Sequence, residues 1–136
     1  MTQENKELLL KDLCARLPYG IKVESVFINP DTKEHKSCGI EVFDATSLLM
    51  IRDGLGEFKP YLFPLSSMTE EQKKYINDRW GINEDFDFEI DPNWGKYFVD
   101  LGDAVGFINW CYENHFDING LIPRGLAEDA TDKNIY

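Results

Sequence analysis

The chain has few residues of the kinds that build covalent or metal frameworks. Three cysteines and two histidines occur in 136 residues, and Cys14, Cys38 and Cys111 are widely spaced. An odd, scattered set of cysteines does not form a disulfide framework. We therefore expect a reducing compartment. The polar opening MTQENKELLLKDL is unlike a secretory signal, so we expect the cytoplasm.

Long apolar runs and basic clusters are also missing. No stretch of about 20 apolar residues occurs, so we expect no membrane span. Lysine and arginine total 14 against 25 acidic residues, which gives a formal net charge of −11. Without a basic run the chain repels phosphate backbones, and direct nucleic-acid binding is disfavoured. The charge is compatible with a protein partner and also with plain solubility.

The common cofactor and catalytic motifs do not occur. The glycine pairs in DGLGE and LGDAVG lack the strand, helix and lysine context of a phosphate-binding loop. GxSxG, HExxH and CxxC are all missing. We therefore expect no cofactor and no resident metal.

The chain does have enough apolar residues for a folded core. Hydrophobic residues make up 43% and aromatic residues 13% of the sequence. This composition argues against disorder, and the length fits one globular domain over residues 1–136. Residues 128–136 are a candidate for a loose tail.

Periodicity predicts three helices. Thr2 can cap the first, whose apolar stripe comprises Leu9, Leu10, Leu13, Cys14 and Leu17. The second begins at a capping box, formed by Ser67 with Glu70 or Thr69 with Gln72, and ends at Gly81. The third spans roughly residues 101–115, with these residues on one face: Leu101, Ala104, Val105, Ile108, Cys111, Tyr112 and His115.

Strand patterns lie between the helices. IKVESVFIN and SCGIEVFD alternate, and in the second Cys38, Ile40 and Val42 are predicted to face inward. TSLLMIRD (46–53) is predicted as a third strand, and the prolines of FKPYLFPL (58–65) assign that segment to a sheet edge. EDFDFEID (84–91) alternates strictly. The sequence thus predicts an α+β fold, with an antiparallel sheet of about four strands and three helices mainly on one face.

Cys111, His115 and Asp117 imitate a thiol, a base and an orienting acid. Cys111 and His115 adjoin on one helical face. Cys111, however, lies on the stripe predicted to face the core, where burial leaves a thiol inert. A small enzyme using these three residues is therefore the less favoured reading.

His35 with Cys38, and Cys111 with His115, have spacings that can serve a Cys2His2 zinc site. Against this reading, His35 lies in a predicted turn and Cys38 on a strand. The chain is also long enough to fold without a structural metal. We therefore predict no metal ligands.

An acidic stripe is predicted on the strand at 84–91. Asp85, Asp87, Glu89 and Asp91 alternate with two phenylalanines and an isoleucine. The stripe fails the calcium-loop pattern, which requires a glycine at its sixth position and a glutamate at its twelfth. The acids can be a solvated face or a recognition face. Alternate strand residues are spaced about 7 Å apart, close to the phosphate repeat, so mimicry of nucleic acid is the alternative function.

Three stretches resemble a known group of proteins: KPYLFPLSSMTEEQKKY (59–75), HFD (115–117) and GLIPRGLAEDATDKNIY (120–136). They are similar to a family of small acidic proteins encoded by gut Bacteroides-type bacteria and their phages and prophages. These parts cover about a third of the chain. The resemblance implies a mobile-element, intracellular setting and no catalytic residues.

The closing stretch is interpreted as a structural clamp. Asn114 and His115 end the last long helix, because asparagine tolerates a left-handed cap and histidine suits the negative end of the helix dipole. Asp117 then caps a short turn. The clamp comprises His115, Phe116, Asp117, Leu121 and Ile122. The function favoured by the sequence is a non-enzymatic accessory or protein-interaction protein of phage or prophage type, of unknown oligomeric state.

Overall fold

A computed structural model describes residues 2–80 and 101–136. Short 3-10 turns at Leu17–Tyr19 and Leu65–Ser67 follow the first helix and the third strand. The elements are, in chain order, α1 (Gln3–Arg16), β1 (Lys22–Ile28), β2 (His35–Val42), α2 (Ala45–Arg52), β3 (Gly56–Leu62), α3 (Glu70–Trp80), α4 (Leu101–Glu113) and β4 (Glu128–Asp129).

The four strands form one sheet in the order β2-β1-β3-β4. The pairings β1–β2 and β1–β3 are antiparallel, whereas β4 runs parallel to β3. The predicted α+β class is therefore confirmed, but the sheet is mixed rather than purely antiparallel. The described residues also contain four α-helices rather than three.

Helix α1 buries the predicted stripe in part, since Leu13 is in an apolar core cluster and Leu9 and Leu17 pack against it. The Thr2 hydroxyl caps it by accepting the Asn5 N–H at 3.1 Å, as expected. Leu13 is buried, but Leu10 and Cys14 are exposed. The helix instead buries a charged pair, Asp12 and Arg16, next to Leu13.

Residues 46–53, predicted as a strand, lie almost entirely in helix α2. Asp44 and Ser47 form a reciprocal capping box, with the Asp44 carboxylate accepting the Ser47 N–H at 3.1 Å. Ser47 and the apolar residues Leu48 and Ile51 recur at helical spacing, and both apolar residues pack on the core. The prediction was wrong because an apolar run without alternation fits one buried helix face as well as a strand.

Strand β3 is an interior strand, although the two prolines of segment 58–65 predicted an edge, and only Pro60 lies within the strand. Residues Gly56–Pro60 pair with β1, and Tyr61 and Leu62 pair with β4. The Ile28 N–H donates to the Leu55 carbonyl at 2.8 Å. Hydrogen-bonded and non-bonded pairs alternate along an antiparallel ladder, so the backbone N–H and C=O of Val23, which pairs with Pro60, point away from β3. Pro60 therefore stands at a position where the ladder with β1 requires no backbone N–H donor.

Two apolar clusters hold the fold together. The first lies between α1, α2 and the inner face of the sheet, which is the face carrying Val23 and Phe58. The second lies between α3, α4 and the residues after α4. The buried members of the second cluster are Met68, Ile76, Phe107, Cys111, Phe116 and Ile118.

Helices α3 and α4 follow the sequence prediction in outline. Thr69 and Gln72 form the capping box of α3, with bonds of 2.9 and 3.1 Å. In α4 Cys111 is buried as predicted, but Val105 is exposed and Phe107 takes an inward position. Among residues 2–80 and 101–136, no helix is long and apolar enough to cross a membrane.

Candidate functional site

The end of α4 turns back through a left-handed residue. His115 has φ +65°, so it is the histidine rather than Asn114 that adopts the left-handed conformation. The His115 carbonyl then accepts the Phe63 N–H at 2.8 Å, and Phe63 accepts the Asp117 N–H at 2.9 Å. The backbone after α4 is thereby attached to the end of β3.

The His115 ring is held as a neutral imidazole. It stacks on Tyr136 with ring centroids 3.8 Å apart. Burial, with the positive charges of Arg16 and Lys22, lowers the pKa of His115 to about 4. Its Nδ1 is buried without a hydrogen-bond partner. The predicted favourable interaction between a charged histidine and the helix dipole therefore does not operate at neutral pH.

Asp117 organises the loop that follows. Its two carboxylate oxygens accept the N–H groups of Leu121 at 2.8 Å and Ile122 at 2.9 Å. Burial raises the pKa of Asp117, and these two hydrogen bonds partly offset that effect. Leu121 is itself fully buried in the first apolar cluster. The carboxylate is thus occupied by the backbone and is not free to orient a histidine.

The residues of the less favoured triad, Cys111, His115 and Asp117, are neighbours without a catalytic arrangement. Cys111 is fully buried, and burial raises the pKa of its thiol. The Nδ1 of His115 is unpartnered, and Asp117 bonds to the following backbone. Within this described stretch no hydrogen bond links the three side chains. Such a thiol stays protonated and inaccessible at neutral pH.

The structure also separates the residues whose spacing could serve a zinc site. His35 and Cys38 lie on the exposed strand β2, whereas Cys111 is buried in α4. In the described part of the chain, no three histidine, cysteine or acidic side chains are grouped for a metal ion. The acidic stripe of Asp85, Asp87, Glu89 and Asp91 and the predicted stop at Gly81 lie outside the described residues.

A buried ion pair next to the clamp was not predicted. Arg16 Nε donates to Asp12 Oδ1 at 2.6 Å, and both side chains are fully buried. Arg16 Nη2 also donates to the Phe116 carbonyl at 2.7 Å, and Asn119 donates to Asp12 at 2.8 Å. The guanidinium lies 4.8 Å from the Tyr112 ring centroid. The i, i+4 spacing could have suggested the pair, but nothing local signals its burial.

The closing residues cover part of the sheet's outer side. The Tyr136 hydroxyl accepts the Lys22 N–H at 2.9 Å and donates to the Tyr61 carbonyl at 2.9 Å. Segment 128–136, a candidate loose tail in the sequence, thus carries β4 and an anchored ring. A cavity of about 430 Å³ lies beside it, lined by Phe63, Ala130, Asp132, Asn134, Ile135 and Tyr136. Asp132 is the one acid in that lining, so the cavity holds no pair of acid and base groups.

Among the residues that the structure describes, β2 is an edge strand of the sheet. All its residues except Gly39 are exposed, and Ile40 and Val42 are 50% and 52% exposed. The prediction that Cys38, Ile40 and Val42 face inward was therefore wrong. Ile40 pairs with Glu24 and Val42 with Lys22, so both face away from the inner cluster.

A β-bulge explains part of this reversal. Ser25 pairs with Gly39, whereas the next β1 residue, Val26, pairs with Ser37, so Cys38 is an extra residue on β2. Gly39 takes φ +79°, which favours glycine. In the sequence, Gly39 inside an alternating pattern was the signal for a bulge.

Comparison with known proteins adds no family to these observations. No family model, no curated protein and no solved structure matches the chain. The surface and the buried groups described above are therefore the basis for inferring a function.

Proposed function

We propose that this chain is a non-enzymatic accessory protein that acts by binding another protein chain, in the setting of a phage or prophage of gut bacteria. The observation that carries the proposal is the edge of β2, which no strand within residues 2–80 and 101–136 covers, with its two half-exposed aliphatic side chains, Ile40 and Val42. Exposed apolar side chains on an unpaired strand are suited to strand addition by a partner.

The state of the reactive side chains is consistent with this proposal. The Cys111 thiol is buried with a raised pKa, and His115 is neutral and makes a ring stack. Both groups contribute to packing around the clamp. A binding role needs no change in either of them, whereas a thiol mechanism requires solvent access and a lower thiol pKa.

The test is affinity capture with tagged protein in the bacterium that encodes the chain, read by mass spectrometry. The informative variant is Ile40→Asp with Val42→Asp. Leu49→Asp is the control, because Leu49 is 50% exposed on α2, away from the edge. We expect a partner captured by the wild-type and control proteins to be lost with the edge variant. Equal capture by all three proteins would contradict the assignment of β2 as the binding surface.

The identity of a captured protein distinguishes this proposal from the alternative function, mimicry of nucleic acid. A DNA-handling or defence protein that is retained by the edge variant, and lost when Asp85 and Asp87 are changed to Asn, would favour mimicry of nucleic acid. Such binding should weaken as salt is raised, because each carboxylate contributes one attraction that salt screens.

A further inference from the structure

The hydrogen-bonding edge of β2 has a definite pattern. The Phe43 N–H donates to Ile21 and the Asn29 N–H to the Glu34 carbonyl, both at 2.9 Å. These bonds mark the residues that face β1 on either side of the bulge. Alternation from Phe43 and from Glu34 then gives the residues whose N–H and C=O groups face solvent. They are His35, Ser37, Ile40 and Val42.

The bulge divides β2 into two arms that match each other. Lys36 pairs with Phe27 and Glu41 with Val23, so both charged side chains lie on the inner-face side. Without an extra residue, positions 36 and 41 would lie on opposite faces, because successive strand residues alternate. Cys38 restores them to the same side. Arms 35–37 and 40–42 thus share one pattern. In each arm the first and third residues direct their backbone N–H and C=O groups outward, and the middle residue places a charged side chain on the inner-face side.

We propose that β2 pairs antiparallel with β2 of a second copy of this chain, about a two-fold axis between Cys38 and Gly39. The proposal rests on the proposed function, since it names the partner of the same edge. His35 then faces Val42 of the second copy, and Ser37 faces its Ile40, each pair bonding through outward N–H and C=O groups. Lys36 faces Glu41 of the second copy, and the symmetry repeats this opposite-charge pair.

Charge complementarity selects this register. Moving the pairing by one residue in either direction would place Lys36 opposite Ile40 or Val42, and would match inner with outer faces in the arms. A bulge and a lysine on an edge strand normally discourage pairing with arbitrary strands. The strand that complements both is β2 itself. Two copies with a net charge of −11 each repel one another, so we expect a weak, concentration-dependent dimer.

The experiment is a charge swap followed by sedimentation velocity over a range of concentrations. Lys36 and Glu41 are exposed, so changing them should leave the fold intact, which circular dichroism checks. Lys36→Glu and Glu41→Lys should each weaken self-association tenfold or more, since each creates two like-charge pairs. Mixing the two variants should produce a heterodimer, because one chain offers two acids and the other two lysines. The double variant should recover self-association.

Two matched controls account for net charge. Lys74→Glu and Glu71→Lys change the charge by the same amounts on exposed positions of α3, and both should dimerise like the wild type. A monomeric wild type at all concentrations would overturn the proposal, as would variants that fail to associate when mixed. The Lys36→Glu, Glu41→Lys double variant can self-associate and yet fail to capture a foreign protein that the wild type captures. Self-association and binding of the foreign protein then use the same edge. If there is no dimer while the Ile40 and Val42 variant loses a foreign partner, the proposed function stands and the second copy is excluded.

Discussion

Burial keeps the side chains of Cys111 and His115 in their neutral forms. Cys111 lies in the cluster with Phe107 and Phe116, where a thiolate would lose its hydration. His115 is stacked on Tyr136 and is close to the positive charges of Arg16 and Lys22. The protonation state of Cys111 therefore follows from its cluster, and that of His115 from packing against residues far apart in the chain. The two can be tested separately.

The thiols should differ sharply in reactivity. In native protein a disulfide reagent should modify exposed Cys14 and Cys38 rapidly, and should modify Cys111 only after denaturant is added. Peptide mapping after a short reaction gives the measurement. Changing Cys111 to Ala should lower the free energy of unfolding by roughly 1–2 kcal/mol through lost packing. Native labelling of Cys111 at the rate of Cys14 would show that the thiol is accessible.

His115 should make stability fall on acidification. Its folded pKa of about 4 is below the ordinary 6.5, so the unfolded chain takes up the proton first. The contribution is complete above pH 6.5 and is lost as the pH falls toward 4. At most about 3 kcal/mol is involved, at 1.36 kcal/mol per pKa unit. Urea unfolding of His115→Phe, which keeps a ring, should show a flatter pH dependence over this range. Parallel curves for the two proteins would mean that the pKa of His115 is not depressed.

Removing only one partner of the buried ion pair should lower the free energy of unfolding strongly. Asp12→Ala leaves the Arg16 guanidinium buried without its carboxylate and should cost about 3–5 kcal/mol. Replacing Asp12 with Leu and Arg16 with Met together should cost less, because no unpaired charge remains. Denaturant melts of the single and double variants give the comparison. A double variant less stable than Asp12→Ala would show that the pair is net stabilising.

Helix α2 depends on its first turn more than on its composition. With eight residues it is too short to be stable alone, so its start must be held by local bonds and by packing. The Asp44–Ser47 capping box provides those bonds, and Leu48, Met50 and Ile51 provide the packing. Sequence periodicity was ambiguous here, because the short apolar run at 48–51 fits either element type.

The cap gives a direct test of this account. Asp44→Ala should reduce stability by about 1 kcal/mol, since the Ser47 N–H loses its acceptor. Asp44→Asn is the control and should have a much smaller effect, because asparagine is an equally good cap. Thermal melts with fitted unfolding enthalpies measure the difference. Equal losses for both variants would point to the charge rather than to the cap geometry.

Contacts between distant parts of the chain close the whole molecule. Tyr136 connects the start of β1, the end of β3 and the turn after α4 through Lys22, Tyr61 and His115. Arg16 does the same from α1 by bonding the Phe116 carbonyl. The clamp is thus held by α1 on one side and by the closing residues on the other.

Removal of one hydroxyl should loosen this closure measurably. Tyr136→Phe keeps the ring stack but loses the bonds to Lys22 and Tyr61, at a cost of about 1–2 kcal/mol. The Lys22 amide should exchange with solvent faster in the variant. Tyr75→Phe, at a half-exposed tyrosine on α3, is the control and should leave that exchange unchanged. Unaltered exchange at Lys22 in Tyr136→Phe would mean that the hydroxyl does not hold the closing segment.

Local chemistry in the sequence was sufficient to predict α1, β1, α3, α4 and the α+β class. A cap such as Thr69 with Gln72, or an alternating strand such as β1, depends on residues a few positions apart, so its signal is readable without a fold. The burial of Cys111 followed from the same periodicity. The acidic stripe stays a prediction, because its residues are outside the described part of the chain.

Tertiary structure alone decided which faces are buried. Asp12 and Arg16 can enter the core because Phe116 and Asn119, 100 and 107 residues away, supply hydrogen bonds to them, although Arg16 Nη1 is left without a partner. Ile40 and Val42 are exposed because β2 is the outermost strand and a bulge shifts its register against β1. An alternating sequence pattern predicts that two sets of side chains lie on opposite faces of a strand. Only the neighbouring elements in the fold determine which set is exposed to water.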